Sequence, residues 1–170
     1  PVGLHYHYGT LGQLEHGVNY ADAYLRTIGK LETPKRKLKK WPYEKGSPVK
    51  LFVLAGHRNM EGERAFVQDL EQLKGKQALL KDNASIAYKY SLGGGYKKSA
   101  AWEPLGLVDY YDTFGPELSF GHALQSKLSG NLAIAKYTHS GSQIIDWTPE
   151  GSMARDRHLY PRFIAFVKES

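Results

Sequence analysis

The sequence predicts an α/β fold in which a partial parallel sheet is covered by helices on both faces. Short apolar runs rich in strand-forming residues alternate with longer segments whose apolar residues recur every three or four positions. Two of the strand-like runs end abruptly in polar residues, as strands do where parallel sheets meet their loops. Only about three strands are recognisable, so we expect an incomplete three-layer α/β/α arrangement.

Composition excludes several classes of protein. The 170 residues are 41% hydrophobic and 24% charged, which is typical of a globular chain. No apolar run approaches the about 20 residues that span a bilayer, so we expect no membrane partner. There is no cysteine, which excludes disulfides and thiolate zinc sites. The net charge is +6, and much of the basic excess lies in residues 30–40, beside Pro34 and Pro42. Such a run is typical of a solvated linker, and we expect no nucleic-acid partner.

The first 49 residues predict one helix and one connector. Thr10 and Gln13 have the spacing of a capping box, and Gly29 can end the helix that they begin. A connector over 31–49 follows, because prolines and Gly46 interrupt it. One apolar stripe runs along the predicted helix: Leu11, Leu14, Val18, Ala21, Leu25 and Ile28.

The rest of the chain predicts alternating strands and helices. The segment 91–114 lacks clear periodicity and is read as a long aromatic loop, a length that is often functional. The predicted strands are 51–55, 86–90 and 132–137, and the predicted helices are 63–74, 117–128 and 159–168.

The first of these strands is predicted to be buried and to place His57, Arg58 and Asn59 at the edge of the sheet. Ligands of open α/β sheets bind at the carboxyl ends of the strands. We therefore place a candidate site there. The alternative is a plain core strand followed by a polar turn.

Three motifs resemble those of a known family. They are Gly-His-Arg-Asn-Met at 56–60, Gly-Pro-Glu-Leu-Ser-Phe-Gly at 115–121, and Lys-Tyr-Thr-His-Ser-Gly-Ser at 136–142 before Asp146-Trp147. In this order, over roughly residues 50–170, they resemble the sialate O-acetylesterase-like branch of the SGNH hydrolases, close to carbohydrate esterase family 6. The resemblance implies a flavodoxin-like SGNH fold. It also implies removal of acetyl esters from sugars by a serine nucleophile, a histidine base and oxyanion donors.

The resemblance places the nucleophile at Arg58, where a serine would be required. A guanidinium is not deprotonated in proteins and cannot attack a carbonyl. Arg58 could instead bind a carboxylate or phosphate, or form an ordinary salt bridge. Ser140 and Ser142 do not lie in a nucleophile-elbow motif. The positions implied for the oxyanion and the substrate are Gly56, His57, Asn59, Gly115, Gly141 and Ser142.

A second resemblance lies at the N-terminus. Gly-Leu-His-Tyr at 3–6, followed by the capped helix, resembles the end of an SGNH domain, where an aspartate and a histidine complete the catalytic triad. His5 matches the histidine, the general-base position, but Val2 stands where the aspartate is expected. His5 and His7 could offer two metal ligands, but no third is identifiable, so we expect no metal and no cofactor.

The domain organisation that follows is a tail-like segment of one SGNH domain at 1–30, a basic linker at 31–49, and the head of a second domain at 50–170. A circular permutant, in which His5 approaches Arg58, is the alternative. In either case the sheet edge is expected to pair with missing parts of the parent protein or with a second copy.

The expected function is a degenerate carbohydrate-acetylesterase-like domain with a binding or structural role beside an active domain. The alternative is an active carbohydrate O-acetylesterase with a permuted or assembled site. Acetylated carbohydrate is the expected ligand, and the resemblance slightly favours an exported or periplasmic protein. Several aromatic residues could stack on sugars, although a core position is the commoner fate of such residues: Tyr90, Tyr96, Trp102, Tyr110 and Tyr111.

Overall fold

The computed structural model describes residues 41–108, 110–153 and 157–170, together with Ala21, Tyr24, Ile28 and Gly29. The chain divides into two compact units, Pro1–Lys35 and Arg36–Ser170. In the first unit, Ala21 and Tyr24 are helical, and Gly29 has a φ of +70°, as expected of a glycine at a helix end. The remainder of that predicted helix, the segment 1–9 and most of the predicted connector lie outside the described residues.

The second unit contains a five-stranded mixed sheet that is mostly parallel. Its strands are β1 (Val49–Gly56), β2 (Asn83–Leu92), β3 (Lys97–Lys98), β4 (Glu103–Leu105) and β5 (Asn131–Thr138). The central strand β5 runs parallel to β1 on one side and to β2 on the other, whereas β3 and β4 are antiparallel to β2. The strand order is β1-β5-β2-β3, with β4 also paired to β2. The prediction of an α/β fold is confirmed.

Helices lie on both faces of this sheet. The helices are α1 (Arg58–Glu61), α2 (Val67–Gln72), α3 (Glu117–Lys127) and α4 (Leu159–Lys168), with short 3-10 turns at Gln77–Leu80, Gly93–Gly95 and Ile144–Trp147. Even-numbered core residues of β2 and β5, such as Ile86 and Ile134, share one core with Leu118 of α3. Odd-numbered Ala135 and Tyr137 share the opposite core with Phe166 of α4. This alternation follows from the two-residue period of a strand. Among the described residues, no helix is long and apolar enough to cross a membrane.

The prediction that the first strand is buried is wrong. Within the described sheet β1 pairs only with β5, so it lies at an edge. Its side chains alternate: Phe52 packs edge-on against Phe120 with 5.5 Å between ring centroids, whereas Leu51 and Val53 are 41% and 40% exposed. A run of five apolar residues does not reveal that only one of its faces is covered.

Two other predicted boundaries differ from the structure. The predicted helix at 63–74 is shorter, because α1 ends at Gly62 with a φ of +101° and the chain is not helical again until Val67. The segment 91–114 is not a structureless loop, since it contains β3 and β4. Strands of two and three residues are too short to show a period.

Candidate functional site

Three strand ends meet at one edge of the sheet. In the register of the parallel strands, Gly56 of β1 lies beside Thr138 of β5, and Ser91 of β2 lies beside Tyr137. The pairing continues past the strands, because the His139 amide donates to the Gly56 carbonyl at 3.1 Å. The loops that follow β1, β2 and β5 are therefore neighbours, as expected for the carboxyl edge of a parallel sheet.

A buried carboxylate joins these loops. Glu61, the last residue of α1, is 8% exposed. Its oxygens accept hydrogen bonds from the Gly93 amide at 3.0 Å, the Thr138 hydroxyl at 2.7 Å and the Ser140 hydroxyl at 2.9 Å. The Tyr110 hydroxyl lies 3.4 Å from the same carboxylate. Burial, and then the charge of Glu61, raise the pKa of Tyr110 well above its ordinary range, so its hydroxyl is a donor. Glu61 is not among the site residues predicted from the sequence.

A buried ion pair lies next to Glu61. Lys136 of β5 and Glu117 at the start of α3 are 2.5 Å apart, with side-chain exposures of 0% and 3%. The Glu117 carboxylate also accepts a bond from the Gly115 amide at 3.3 Å. The Lys136 ammonium donates to the Glu61 carbonyl at 3.4 Å. The ion pair thus joins the motifs at 115–121 and 136–142, and the backbone of Glu61 connects the motif at 56–60, which it follows, to Lys136.

Arg58 lies on the exposed side of this network. Its side chain is 48% exposed, and its Nε and Nη1 each lie 3.3 Å from an oxygen of the Glu63 carboxylate. Two contacts to one carboxylate are the usual geometry of a guanidinium. Of the readings that the sequence left open, the salt bridge is the one observed. Asn59 and Gly115 line an open cleft of about 310 Å³ beside this pair.

The loop after β5 meets the residues after β1. The Gly141 amide donates to His57 Nε2 at 2.9 Å. Ser142 donates its hydroxyl to the His139 carbonyl at 2.8 Å and accepts a bond from Trp147 Nε1 at 3.0 Å. The structure therefore collects most of the predicted site residues at one edge: Gly56, His57, Arg58, Asn59, Gly115, Gly141 and Ser142. His5 lies outside the described residues. Within the described part of the chain, no three His, Asp or Glu side chains form a group that could hold a metal ion.

Asp146 fixes the far end of this loop. Its side chain is buried and accepts a hydrogen bond from the Gln143 backbone amide at 2.6 Å. In return the Asp146 backbone amide donates to the Gln143 side chain, and the two bonds form a capping box. The Gln143 amide lowers the pKa of Asp146, and the Ser152 hydroxyl and the charges of Arg157 and His139 lower it further.

We expect Asp146→Asn to lower the melting temperature near neutral pH. The folded-state pKa is below the ordinary 3.8, so the carboxylate contributes stability above that value and loses it as the pH falls through the lowered pKa. The difference between wild type and variant should therefore shrink in acid. Thermal unfolding followed between about pH 7 and about pH 2.5 tests this, with the exposed Asp69→Asn as the control. A difference that does not change with pH would contradict it.

Comparison with known proteins agrees with the motifs. A solved structure of a protein from Arabidopsis thaliana, determined at 1.6 Å, matches with a TM-score of 0.45 and 24% identity over 70% of this chain and 50% of that chain. This chain thus spans about half the length of that protein. A comparison with curated proteins finds no match. The model of the family described as carbohydrate esterase, sialic acid-specific acetylesterase, matches residues 48–170, which is more than half of the chain. The expected resemblance is confirmed, and the chain belongs to this carbohydrate esterase family.

Proposed function

We propose that residues 48–170 form a carbohydrate-acetylesterase-like domain that does not hydrolyse esters and has a binding role beside an active domain. The observation that carries this proposal is Arg58. It occupies the position that the resemblance assigns to the nucleophilic serine, and its guanidinium is paired with Glu63. A guanidinium cannot act as an acyl nucleophile, so Arg58 cannot form the acyl intermediate that a serine forms.

The neighbouring serines do not replace the missing nucleophile. A serine attacks a carbonyl when an adjacent base accepts its proton. Ser140 donates its hydroxyl to Glu61, and Ser142 donates to a backbone carbonyl. In the part of the chain that the structure describes, neither of these hydroxyls donates to a histidine ring nitrogen. Both hydroxyls hold the loop in place, which supports a structural role for them.

The proposal extends to the N-terminal segment. We propose that residues 1–30 correspond to the tail of a preceding SGNH domain and that 31–49 link it to the domain described above. On this account His5 serves that other domain and not the edge at Arg58. The ligand that we propose for the present domain is acetylated carbohydrate, the substrate class of its family.

Acetyl release tests the proposal. We expect the chain to release no acetate from 4-nitrophenyl acetate or from acetylated xylotetraose above the rate of buffer, because it lacks an activated nucleophile. The variants are Arg58→Ala, Arg58→Ser and His5→Ala. Turnover that survives Arg58→Ala but disappears in His5→Ala would show an active esterase instead.

Arg58→Ser separates the proposal from the alternative of a permuted or assembled site. If His5 and the oxyanion donors already surround this position, a serine hydroxyl would supply the one missing part, and acetate release should rise. Under our proposal the folded Arg58→Ser protein stays at the background rate. Far-UV circular dichroism and the melting temperature establish that the variant is folded.

A further inference from the structure

Two tyrosines near the site expose their rings to solvent. Tyr96 is 79% exposed and Tyr111 is 58% exposed. Each contacts Tyr110, with ring-centroid distances of 6.3 Å and 4.6 Å to it and tilts of 51° and 53° between the ring planes. The other two aromatic residues considered from the sequence have different environments. Tyr90 belongs to the core, and Trp102 packs against Trp41. The three rings of Tyr96, Tyr110 and Tyr111 are called the tyrosine platform below.

We propose that the exposed rings of the tyrosine platform, those of Tyr96 and Tyr111, bind pyranose rings of an oligosaccharide by stacking. A pyranose presents C–H groups on its faces, and their small positive charge suits the negative face of an aromatic ring. A tyrosine side chain is rigid and loses little conformational entropy when it binds. This inference rests on the proposed binding role and assigns that role a place and a ligand class.

The central ring is fixed to the site network. Tyr110 is 8% exposed, and its hydroxyl faces the Glu61 carboxylate. Gly93 lies directly beneath it, since a Cβ at this position would lie 2.4 Å from the Tyr110 hydroxyl oxygen and 3.2 Å from the Tyr96 Cβ. The packing at Gly93 and Glu61 therefore connects the platform to the edge where β1, β2 and β5 end.

The outer ring of Tyr111 is presented by a strained turn. Tyr111 and Asp112 have φ values of 55° and 50°, a region that residues with a side chain rarely adopt. The turn is held from both sides, because the Val67 amide donates to the Asp112 carbonyl at 2.9 Å and the Phe114 amide donates to the Ala65 carbonyl at 3.0 Å. Strain that the surrounding structure enforces in this way is common at ligand sites. A preorganised ring also loses less entropy on binding.

Calorimetric titration with two probes tests the proposal: acetylated xylotetraose and the same oligosaccharide after removal of its acetyl groups. Because the platform contacts ring C–H groups, we expect the chain to bind both probes with affinities within about twofold. Tyr96→Ala and Tyr111→Ala should each weaken binding by about tenfold, and Tyr96→Phe and Tyr111→Phe should keep it. Tyr160→Ala is the matched control, since Tyr160 is a tyrosine of α4 that is 37% exposed and lies outside the platform.

Each result decides for or against the platform independently of catalysis. Loss in the two alanine variants, with binding kept in the phenylalanine variants and in Tyr160→Ala, supports it. Absence of binding by the wild-type chain, equal loss in Tyr160→Ala, or binding of the acetylated probe only overturns it. Acetate release is measured in the same samples. Platform-dependent binding with turnover would refute the non-catalytic function and leave the platform in place. No binding and no turnover would refute the platform and the proposed carbohydrate ligand, and would leave the absence of ester hydrolysis in place.

Discussion

Lys136→Met is expected to lower the free energy of unfolding by about 3–5 kcal/mol, because it leaves the Glu117 carboxylate buried without its cation. The Lys136 side chain is fully buried, and its partner is 3% exposed. Methionine fills a similar volume, so the cost is mainly that of the unpaired charge. Urea unfolding with linear extrapolation measures the change. A cost of this size is a large part of the total stability of an ordinary domain, which is about 5–15 kcal/mol.

The exposed pair of the same site provides the matched control. Arg58→Met removes a cation from Glu63, whose side chain is 38% exposed, and should cost less than about 1 kcal/mol because water replaces the partner. The double variant Lys136→Met with Glu117→Leu should recover much of the loss, since it removes both members of the buried pair. Equal costs for Lys136→Met and Arg58→Met would show that burial does not distinguish the two pairs.

The elements that could be predicted from the sequence are those whose burial leaves a local pattern. Strand β5 reads as one apolar run because helices cover both of its faces, and it extends only one residue beyond each end of its predicted bounds. Helix α4 has the predicted bounds, since its apolar residues repeat with the period of a helix. Strand β1 shows the same kind of run, but one face is exposed. A continuous apolar run therefore cannot tell an edge strand from a central one.

The candidate site also has one part that could be predicted from the sequence and one that could not. The edge at Arg58 could be predicted, because the end of a parallel strand is visible as an apolar run that stops at a glycine. The role of Glu61 could not, since its partners Gly93, Thr138 and Ser140 come from separate segments and only the fold brings them together. A glutamate beside a sequence motif is most often a solvated side chain. The burial of Glu61 in the structure is the observation that distinguishes a carboxylate that joins the loops from a solvated one.

Gly62→Ala is expected to lower the free energy of unfolding by about 2–5 kcal/mol, because two separate costs apply to it. Gly62 ends α1 with a φ of +101°, a conformation that favours glycine. A Cβ there would also lie 2.1 Å from the Phe114 carbonyl oxygen and 2.7 Å from the Gly115 amide nitrogen. These neighbours are backbone atoms of the turn that precedes α3. To make room for the Cβ, the end of α1 and this turn must move apart.

Gly75→Ala separates the two costs, because it has the cost of the positive φ without the steric clash. Gly75 also has a positive φ, +76°, but a Cβ there would meet no atom within 4 Å. It should therefore cost only the about 1–2 kcal/mol of a left-handed residue. Urea unfolding of both variants gives the difference, which measures how tightly the two motifs are packed together. If the two variants lose the same free energy of unfolding, the turn at Phe114 accommodates the added Cβ without cost. Close packing of α1 against this turn then does not hold Arg58 at the edge of the sheet.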